Sequence, residues 1–357
     1  MKRNRANLVG IDLFAGAGGL SLGAQMAGID VVLAVEIDKH AATTYAFNHP
    51  ETELIVDNIK NVHRVDICRK DQVTVLFGGP PCRGFSTSNQ RTRDRENPFN
   101  WLFKEFIRIV RLCKPDWVVF ENVRGILETE GGLFCESVIS DIREAGYRCS
   151  HGVLCASDFG VPQVRSRFFL IASRHGITAD MPKPTTMHLP VTVREAIFDL
   201  PSLANGADED YRIYPGEAQS GYAKSMRSDS VGCNGHLVTN NAPHIIERYK
   251  HIPKGGNWED IPEELMRNYA DRTRCHTGIY YRLREDTPSV VIGNYRKNML
   301  IHPTQDRGLS VREAARLQSF PDWYEFKGTI GFQQQQVGNA VPPLLAKSVF
   351  ECILDCS

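Results

Sequence analysis

The sequence carries no charge excess that would announce a polyanionic partner. Lys plus Arg and Asp plus Glu both number 42 among 357 residues, so any basic surface must be local. It also lacks an apolar run near the roughly 18–20 residues that a helix needs to span a bilayer, and no membrane partner is expected. The opening Met1-Lys2-Arg3-Asn4-Arg5 is basic, but Asp12 interrupts the apolar stretch behind it and no small-residue cleavage site follows, which argues against a secretory signal. Ten cysteines are present, yet no two form C-x-x-C and none clusters with histidine at zinc spacing. Scattered thiols of this kind fit a reducing cytoplasm and give no reason to expect a metal. Internal repeats are absent, and the one low-complexity tract is Gln333–Gln336. What remains is an ordinary globular composition, 42% hydrophobic, in a chain long enough for a sizeable core and two domains.

The first 180 residues alternate strand and helix signals. Leu8-Val9-Gly10-Ile11-Asp12-Leu13-Phe14 reads as a strand, Ala15-Gly16-Ala17-Gly18-Gly19 as a turn, and Leu20 to Met26 as a helix. Val31–Val35 is the next strand and ends in Glu36, an acid about 20 residues past the turn, where a ribose-hydroxyl acceptor belongs. Ser21 stands where G-x-G-x-x-G would have its third glycine, which disfavours a pyrophosphate-binding dinucleotide site but leaves room for an adenosine-type ligand. Short strands follow at 54–56, 73–77 and 116–120, then longer ones at 147–156 and 167–173. Helical spacing joins Phe99, Leu102, Phe103, Phe106 and Val110, and again Phe134, Val138, Ile142 and Ala145. This βα rhythm predicts an α/β fold with a mostly parallel, doubly wound sheet. It places Glu36, Asp57, Cys82 and Glu121 at or just past strand ends, the edge where open α/β sheets bind ligands. Gly78-Gly79-Pro80-Pro81-Cys82-Arg83-Gly84-Phe85-Ser86 is the stretch of most chemical interest. The two prolines stiffen a turn that presents a thiol. Taken alone, it reads equally well as a plain strand-exit turn.

Near residue 180 prolines and glycines break the rhythm, which places a domain boundary there. Residues 181–264 read as loop-rich, with a short helix at 193–200. From Leu265 to Arg307 there are eight Lys/Arg against four Asp/Glu, interleaved with Tyr269, Tyr280, Tyr281 and Tyr295, a stretch suited either to tracking a phosphate backbone or to plain solvation. Order returns in Ser310–Leu317, a helix with a Ser N-cap and Glu313 three residues on. The chain then closes with Gln336-Val337-Gly338-Asn339-Ala340-Val341-Pro342-Pro343 and an apolar helix.

Six stretches, in this order and spacing, carry a family resemblance: Phe14–Gly19, Pro80-Pro81-Cys82, Glu121-Asn122-Val123, Gln163-Val164-Arg165-Ser166-Arg167, Arg312–Gln318 and Gln336–Val341. Together they resemble the motif series of DNA (cytosine-5) methyltransferases, of the kind found in bacterial restriction–modification systems. The resemblance implies a Rossmann-like S-adenosylmethionine-dependent methyltransferase fold with a smaller, loop-rich target recognition domain, so that the chain divides into 1–180, 181–306 and 307–357, the last returning to the first. The substrate it implies is a cytosine in double-stranded DNA, flipped out of the stack because its ring cannot be reached within it. It also implies a DNA-associated cytoplasmic enzyme working as a monomer, and a functional relation to a cognate restriction endonuclease.

The resemblance assigns residues as follows. Cys82 adds as thiolate to carbon 6, turning a poor nucleophile into an enamine-like donor at carbon 5. Glu121 donates toward N3, and Arg165 and Arg167 hold the base carbonyl and the carboxylate, with Arg165 a candidate for favouring the thiolate. Phe14, Gly16, Ala17 and Gly19 line the donor, Glu36 takes its ribose hydroxyls, Ile37 packs on adenine and Asp57 accepts from the adenine amino group. Pro80 lies beside the donor, and Asn339 and Val341 close its methionine end. One position departs from the family: Arg83 stands where Gln or Asn is usual. Arg83, Ser86, Arg91 and Arg93 are expected to touch DNA. A tRNA cytosine-5 methyltransferase on the same fold and a catalytically silent DNA-binding relative are the rival readings. No Cys-Phe-Thr tripeptide of the tRNA group occurs, and a silent site would not keep Cys82, Glu121, Arg165 and Arg167 together.

Overall fold

The computed structural model describes residues 8–65, 72–81, 101–267, 278–293, 295 and 299–356. The chain divides into two compact units. The first comprises Met1–Phe159, Ser166–Thr185 and Val341–Ser357, the second Gly160–Arg165 and Thr186–Ala340.

Unit 1 is built on a seven-stranded sheet: β1 (Leu8–Leu13), β2 (Asp30–Val35), β3 (Glu53–Ile55), β4 (Val73–Gly78), β5 (Trp117–Val123), β6 (Arg148–Cys155) and β7 (Ser166–Ser173). The spatial order is β3-β2-β1-β4-β5-β7-β6, and only β7 runs against its neighbours. Every residue of β1 is buried, as expected of a central parallel strand covered on both faces. The order reverses between β1 and β4, the crevice where such sheets bind ligands. Register brings the carboxyl ends into line: Leu13 pairs with Val35 and with Gly78, and Gly78 with Phe120. Glu121-Asn122-Val123, expected at a strand end, forms the last three residues of β5, where β7 pairs with it through Phe169, Phe168 and Arg167.

The helices of unit 1 are α1 (Gly19–Ala27), α2 (Lys39–Asn48), α3 (Phe103–Cys113), α4 (Leu133–Glu144) and the C-terminal helix Pro343–Leu354. Phe103, Phe106 and Val110 of α3 and Phe134, Val138 and Ile142 of α4 fill one face of the sheet with Leu13, Leu76, Val118 and Phe120. On the other side the C-terminal helix lies against α1. Phe350 meets Phe77 edge-on at 4.9 Å, and a Cβ on Gly23 would come within 2.4 Å of the Ala346 Cβ. The two ends of the chain therefore share one core. Ile330–Leu354 matches a membrane span by length and composition, but it is two helices broken at Ala340–Pro342.

Unit 2 contains α5 (Val193–Ile197), α6 (Gly221–Arg227), α7 (Pro243–Lys250), α8 (Val311–Leu317), α9 (Ile330–Asn339) and a two-residue ribbon, β8 (Arg212–Ile213) with β9 (Gly232–Cys233). Buried arginines organise its loops. Arg316 is paired with Asp199 and Asp322, Arg307 grips Glu313 with two bonds of 2.8 and 2.6 Å, and Arg312 donates to the carbonyls of Asn234, Pro321 and Tyr324. This corrects the expected return at 307. Residues 307–340 stay in unit 2 because the charges of α8 are satisfied there, and only the chain from Val341 returns. Gly160–Arg165 also joins unit 2, since Gln163 forms a bridge with Ser289 and bonds to Ile292 N, Leu317 O and Gln318 Oε1.

Candidate active site

The turn after β1 is left-handed at Phe14 (φ 64°), Gly16 (φ 57°) and Gly18 (φ 89°). A phenylalanine in that region carries strain of order 1 kcal/mol or more, so surrounding bonds must hold it. Ala15 N donates to Val35 O at 3.0 Å, Gly18 N donates to Ala15 O at 2.9 Å, and Gly16 N donates to Glu36 Oε2 at 2.7 Å. The other oxygen of Glu36 accepts from Asp38 N at 2.7 Å. Burial raises the Glu36 pKa above the usual carboxylate value, opposed by these backbone bonds. Glu36 thus fastens the turn as well as sitting where a ribose would be met. Its neighbour Ile37 is apolar yet 60% exposed, an open platform for a flat ring. Asp57 is exposed and accepts from Asn58 N at 2.6 Å and Asn61 Nδ2 at 2.9 Å.

Gly19 is required by close approach: a Cβ there would lie 2.3 Å from the Val341 carbonyl. The returning chain is thereby seated on the first turn of α1, with Ala17 buried beside it. Asn339, the last residue of α9, is exposed and belongs to unit 2.

At the end of β4 two more glycines are dictated by contact. A Cβ on Gly78 would strike the Leu13 carbonyl at 2.0 Å, and one on Gly79 would lie 2.4 Å from Glu121 Oε2. Glu121 is buried, and its Oε1 lies 3.1 Å from Arg167 Nε. The pair forms because β5 and β7 run antiparallel with Val123 opposite Arg167, so residue 121 is the diagonal neighbour of 167 on the same face. Arg167 is fixed further by its Nη1 donating to Ser166 O at 2.9 Å. Asn122 Nδ2 donates to the carbonyl of buried Pro80 at 3.2 Å, tying β5 to the proline turn. Cys82, Arg83, Ser86, Arg91 and Arg93 lie outside the described residues.

Arg165 sits differently from the expectation that it serves the base and the carboxylate. It is buried, and its terminal nitrogens donate to the carbonyls of Ile292, Gly338 and Ala340 within unit 2. It precedes β7 and so does not share the strand geometry that turns Arg167 to Glu121. Sequence reasoning gave no role to Asp12, Ser21 and Tyr45. Asp12 Oδ2 accepts from Ser21 Oγ at 2.6 Å, and Ser21 Oγ lies 2.7 Å from Tyr45 OH. The one available signal was a charged residue inside an otherwise apolar strand.

A glycine turn between β1 and α1, an acid at the end of β2 and a single reversed strand near the sheet edge define a Rossmann-like fold of the methyltransferase class. The sequence pattern of C-5 cytosine-specific DNA methylases matches residues 8–355, and the chain belongs to that family. It is 37% identical to the Type II methyltransferase M1.HphI of Haemophilus parahaemolyticus over 98% of this chain and 87% of that protein. It is 34% identical to M.DdeI of Desulfomicrobium norvegicum over 96% of this chain and 88% of the relative. Among solved structures, a protein assigned as a DNA modification methyltransferase from an E. coli prophage superposes with a TM-score of 0.76 at 28% identity, covering 98% of this chain and 99% of that one. S. pombe Dnmt2 methyltransferase, at 16% identity, shares the fold, with a TM-score of 0.63 over 98% and 99% of the two chains.

The site residues suit the methyl donor that the family implies. The turn has no third glycine to cradle a pyrophosphate, Ile37 offers an apolar face, and Gly19 leaves no Cβ between the turn and Val341.

Proposed function

We propose that this chain methylates carbon 5 of a cytosine in duplex DNA, with S-adenosylmethionine as donor. The observation that carries the reading is the Gly79–Glu121–Arg167 arrangement at the carboxyl edge of β4 and β5, with Gly79 three positions before Cys82 in the sequence. Phe14, Gly16, Ala17, Gly19, Glu36, Ile37 and Asp57 would hold the donor, with Pro80 and Val341 around its methionine end. When bound, the donor supplies an electrophilic methyl group on a sulfonium.

The chain's own residues do the rest. The Cys82 thiolate forms a bond to carbon 6 of the flipped base, and the electron pair of the 5,6 double bond moves toward carbon 5 and N3. Glu121 in its acid form gives a proton at N3 and holds the base by its Watson–Crick edge. Arg167 fixes that carboxyl in place. After carbon 5 is methylated, a base removes its proton, the 5,6 double bond re-forms as the thiolate leaves, and the N3 proton returns to Glu121. Arg83, Ser86, Arg91 and Arg93 contact DNA beside the site. If Arg83 grips a phosphate, Arg83→Gln weakens binding and lowers the salt slope by about one; an unchanged slope sinks that role.

Incubating the protein with labelled donor and either duplex DNA or tRNA tests the substrate. Label is expected in DNA only and none with Cys82→Ala. Label in tRNA would favour the rival reading, which the similarity to Type II methyltransferases does not favour. Bisulfite sequencing of DNA from expressing cells reads out the target sequence. A cytoplasmic location, a monomeric state and a cognate endonuclease belong to the same proposal.

A further inference from the structure

Asp12 is the one acid buried inside the central strand β1, fully out of solvent. Its Oδ2 accepts from Ser21 Oγ at 2.6 Å, while its Oδ1 is buried with no hydrogen-bond partner. A buried, half-satisfied carboxylate is expensive, so the group keeps its proton; burial pushes its pKa up to about 8, with the Glu36 carboxyl adding to the effect and the bonds from Ser21 opposing it. Ser21 Oγ also lies 2.7 Å from Tyr45 OH, a second bond that either hydroxyl can donate. Tyr45 is itself fully buried in α2. The His49 ring lies tilted beside it at 4.5 Å, bonds to Gln25 Oε1 at 2.9 Å and reaches the backbone of Gly18.

These bonds link β1, the third residue of α1 and α2, and they return to the turn at Gly18. The N-cap of α1 is Gly18, which has no side chain to cap the helix. The first turn of α1 is therefore held from beneath by Asp12 and Ser21, as the turn is held from the side by Glu36 through Gly16 N. We infer that Asp12, Ser21 and Tyr45 act as positioning residues for the methyl donor, fixing the strained Phe14–Gly19 turn in its binding shape before the donor arrives. The inference rests on the donor reading of that turn. It explains an acid, a hydroxyl and a phenol in a core where apolar residues would pack equally well.

The test is donor affinity by calorimetry together with steady-state kinetics. Wild type is measured first: no binding of S-adenosylmethionine would overturn the donor reading itself. Ser21→Ala is expected to raise the donor Kd and KM about tenfold, as for one lost hydrogen bond in a binding-competent shape. Its kcat at saturating donor and its KM for DNA should stay within about twofold, which separates positioning from a loss of folded protein. Tyr45→Phe should behave alike, and the double variant should be no worse than either single one. Asp12→Asn keeps a carbonyl for Ser21 without charge and should bind nearly as wild type does, whereas Asp12→Leu should match Ser21→Ala. If Asp12→Leu does not fold, the Ser21 and Tyr45 variants still decide. Donor affinity unchanged in Ser21→Ala, or a kcat falling in step with Tm at constant KM, overturns the inference while leaving the donor reading intact.

Discussion

Gly79 shows most directly how one atom sets the chemistry. An added Cβ would lie 2.4 Å from Glu121 Oε2, so in Gly79→Ala the carboxyl must swing away and its 3.1 Å pairing with Arg167 is lost. Displacement of a catalytic group by about 1 Å costs on the order of 100-fold in rate. We expect kcat to fall by at least that much with donor affinity unchanged; a variant with normal kcat would separate Glu121 from the reaction. The two arginines of the same motif should part company. Arg167→Ala removes the partner of Glu121 and is expected to lose about 100-fold or more in kcat. Arg165→Ala strands buried carbonyls of Ile292, Gly338 and Ala340, at roughly 1–3 kcal/mol. It should instead lower Tm by about 2–6 °C and leave kcat of the folded enzyme within a few-fold. Motif order singled out both Glu121 and Arg167, and the fold brings them within 3.1 Å of each other. The division of labour between the arginines was not legible there, because spacing by two implies one face only inside a strand, and β7 begins after Arg165, at Ser166.

At the scale of elements, the strands of unit 1 could be read because a strand covered on both faces must be apolar throughout, as in Leu8–Leu13 and Val73–Gly78. The same reasoning fails for α8, whose Arg312 and Arg316 look like surface residues and are buried. Charges satisfied by loop carbonyls and distant aspartates leave no periodic trace, so the allegiance of 307–340 was hidden. The packing of α1 against the C-terminal helix was equally hidden, since it depends on which glycine faces which helix. It yields a prediction in which two effects compete. Gly23→Ala gains up to about 1 kcal/mol in helix propensity. Against this, the new Cβ would meet the Ala346 Cβ at 2.4 Å and the Pro343 carbonyl at 2.8 Å, and such overpacking costs about 1–3 kcal/mol. Crowding should prevail: Gly23→Ala is expected to be net destabilised by about 1–2 kcal/mol in denaturant titration. A variant more stable than wild type would show that the helices part more easily than their close approach implies.

On the scale of the whole molecule, the two units should respond differently to acid. His49 in unit 1 and His302 in unit 2 are both pushed down to about 4, chiefly by burial, and His236 in unit 2 is shifted the same way for the same reason. The unfolded chain takes up protons near 6.5 that these folded histidines refuse, so each contributes stability that is lost as pH falls from 6.5 toward 4. Unit 1 has opposing groups. Asp12, raised to about 8, binds a proton in the fold that the unfolded chain releases above its ordinary value near 4, and Glu36 is also shifted up by burial. These acids add stability as pH falls, and they offset His49. Among the described residues of unit 2 the perturbed acids run the other way: Glu313 is held far below the usual carboxylate range by Arg307, and Asp322 is lowered by Arg316. Both shifts only cost further stability in stronger acid. Unit 2 should therefore loosen first. Pulse proteolysis at pH 5, with fragments mapped by mass, is expected to cut within 186–340 while the sheet of unit 1 stays intact, and the same protease pressure at pH 7 should leave both whole. Asp12→Asn should reduce the gap between the units at pH 5, because it removes the proton uptake that shelters unit 1. Cleavage beginning in the sheet at pH 5 would mean that His49 outweighs Asp12 and that the balance of buried protons has been drawn the wrong way round.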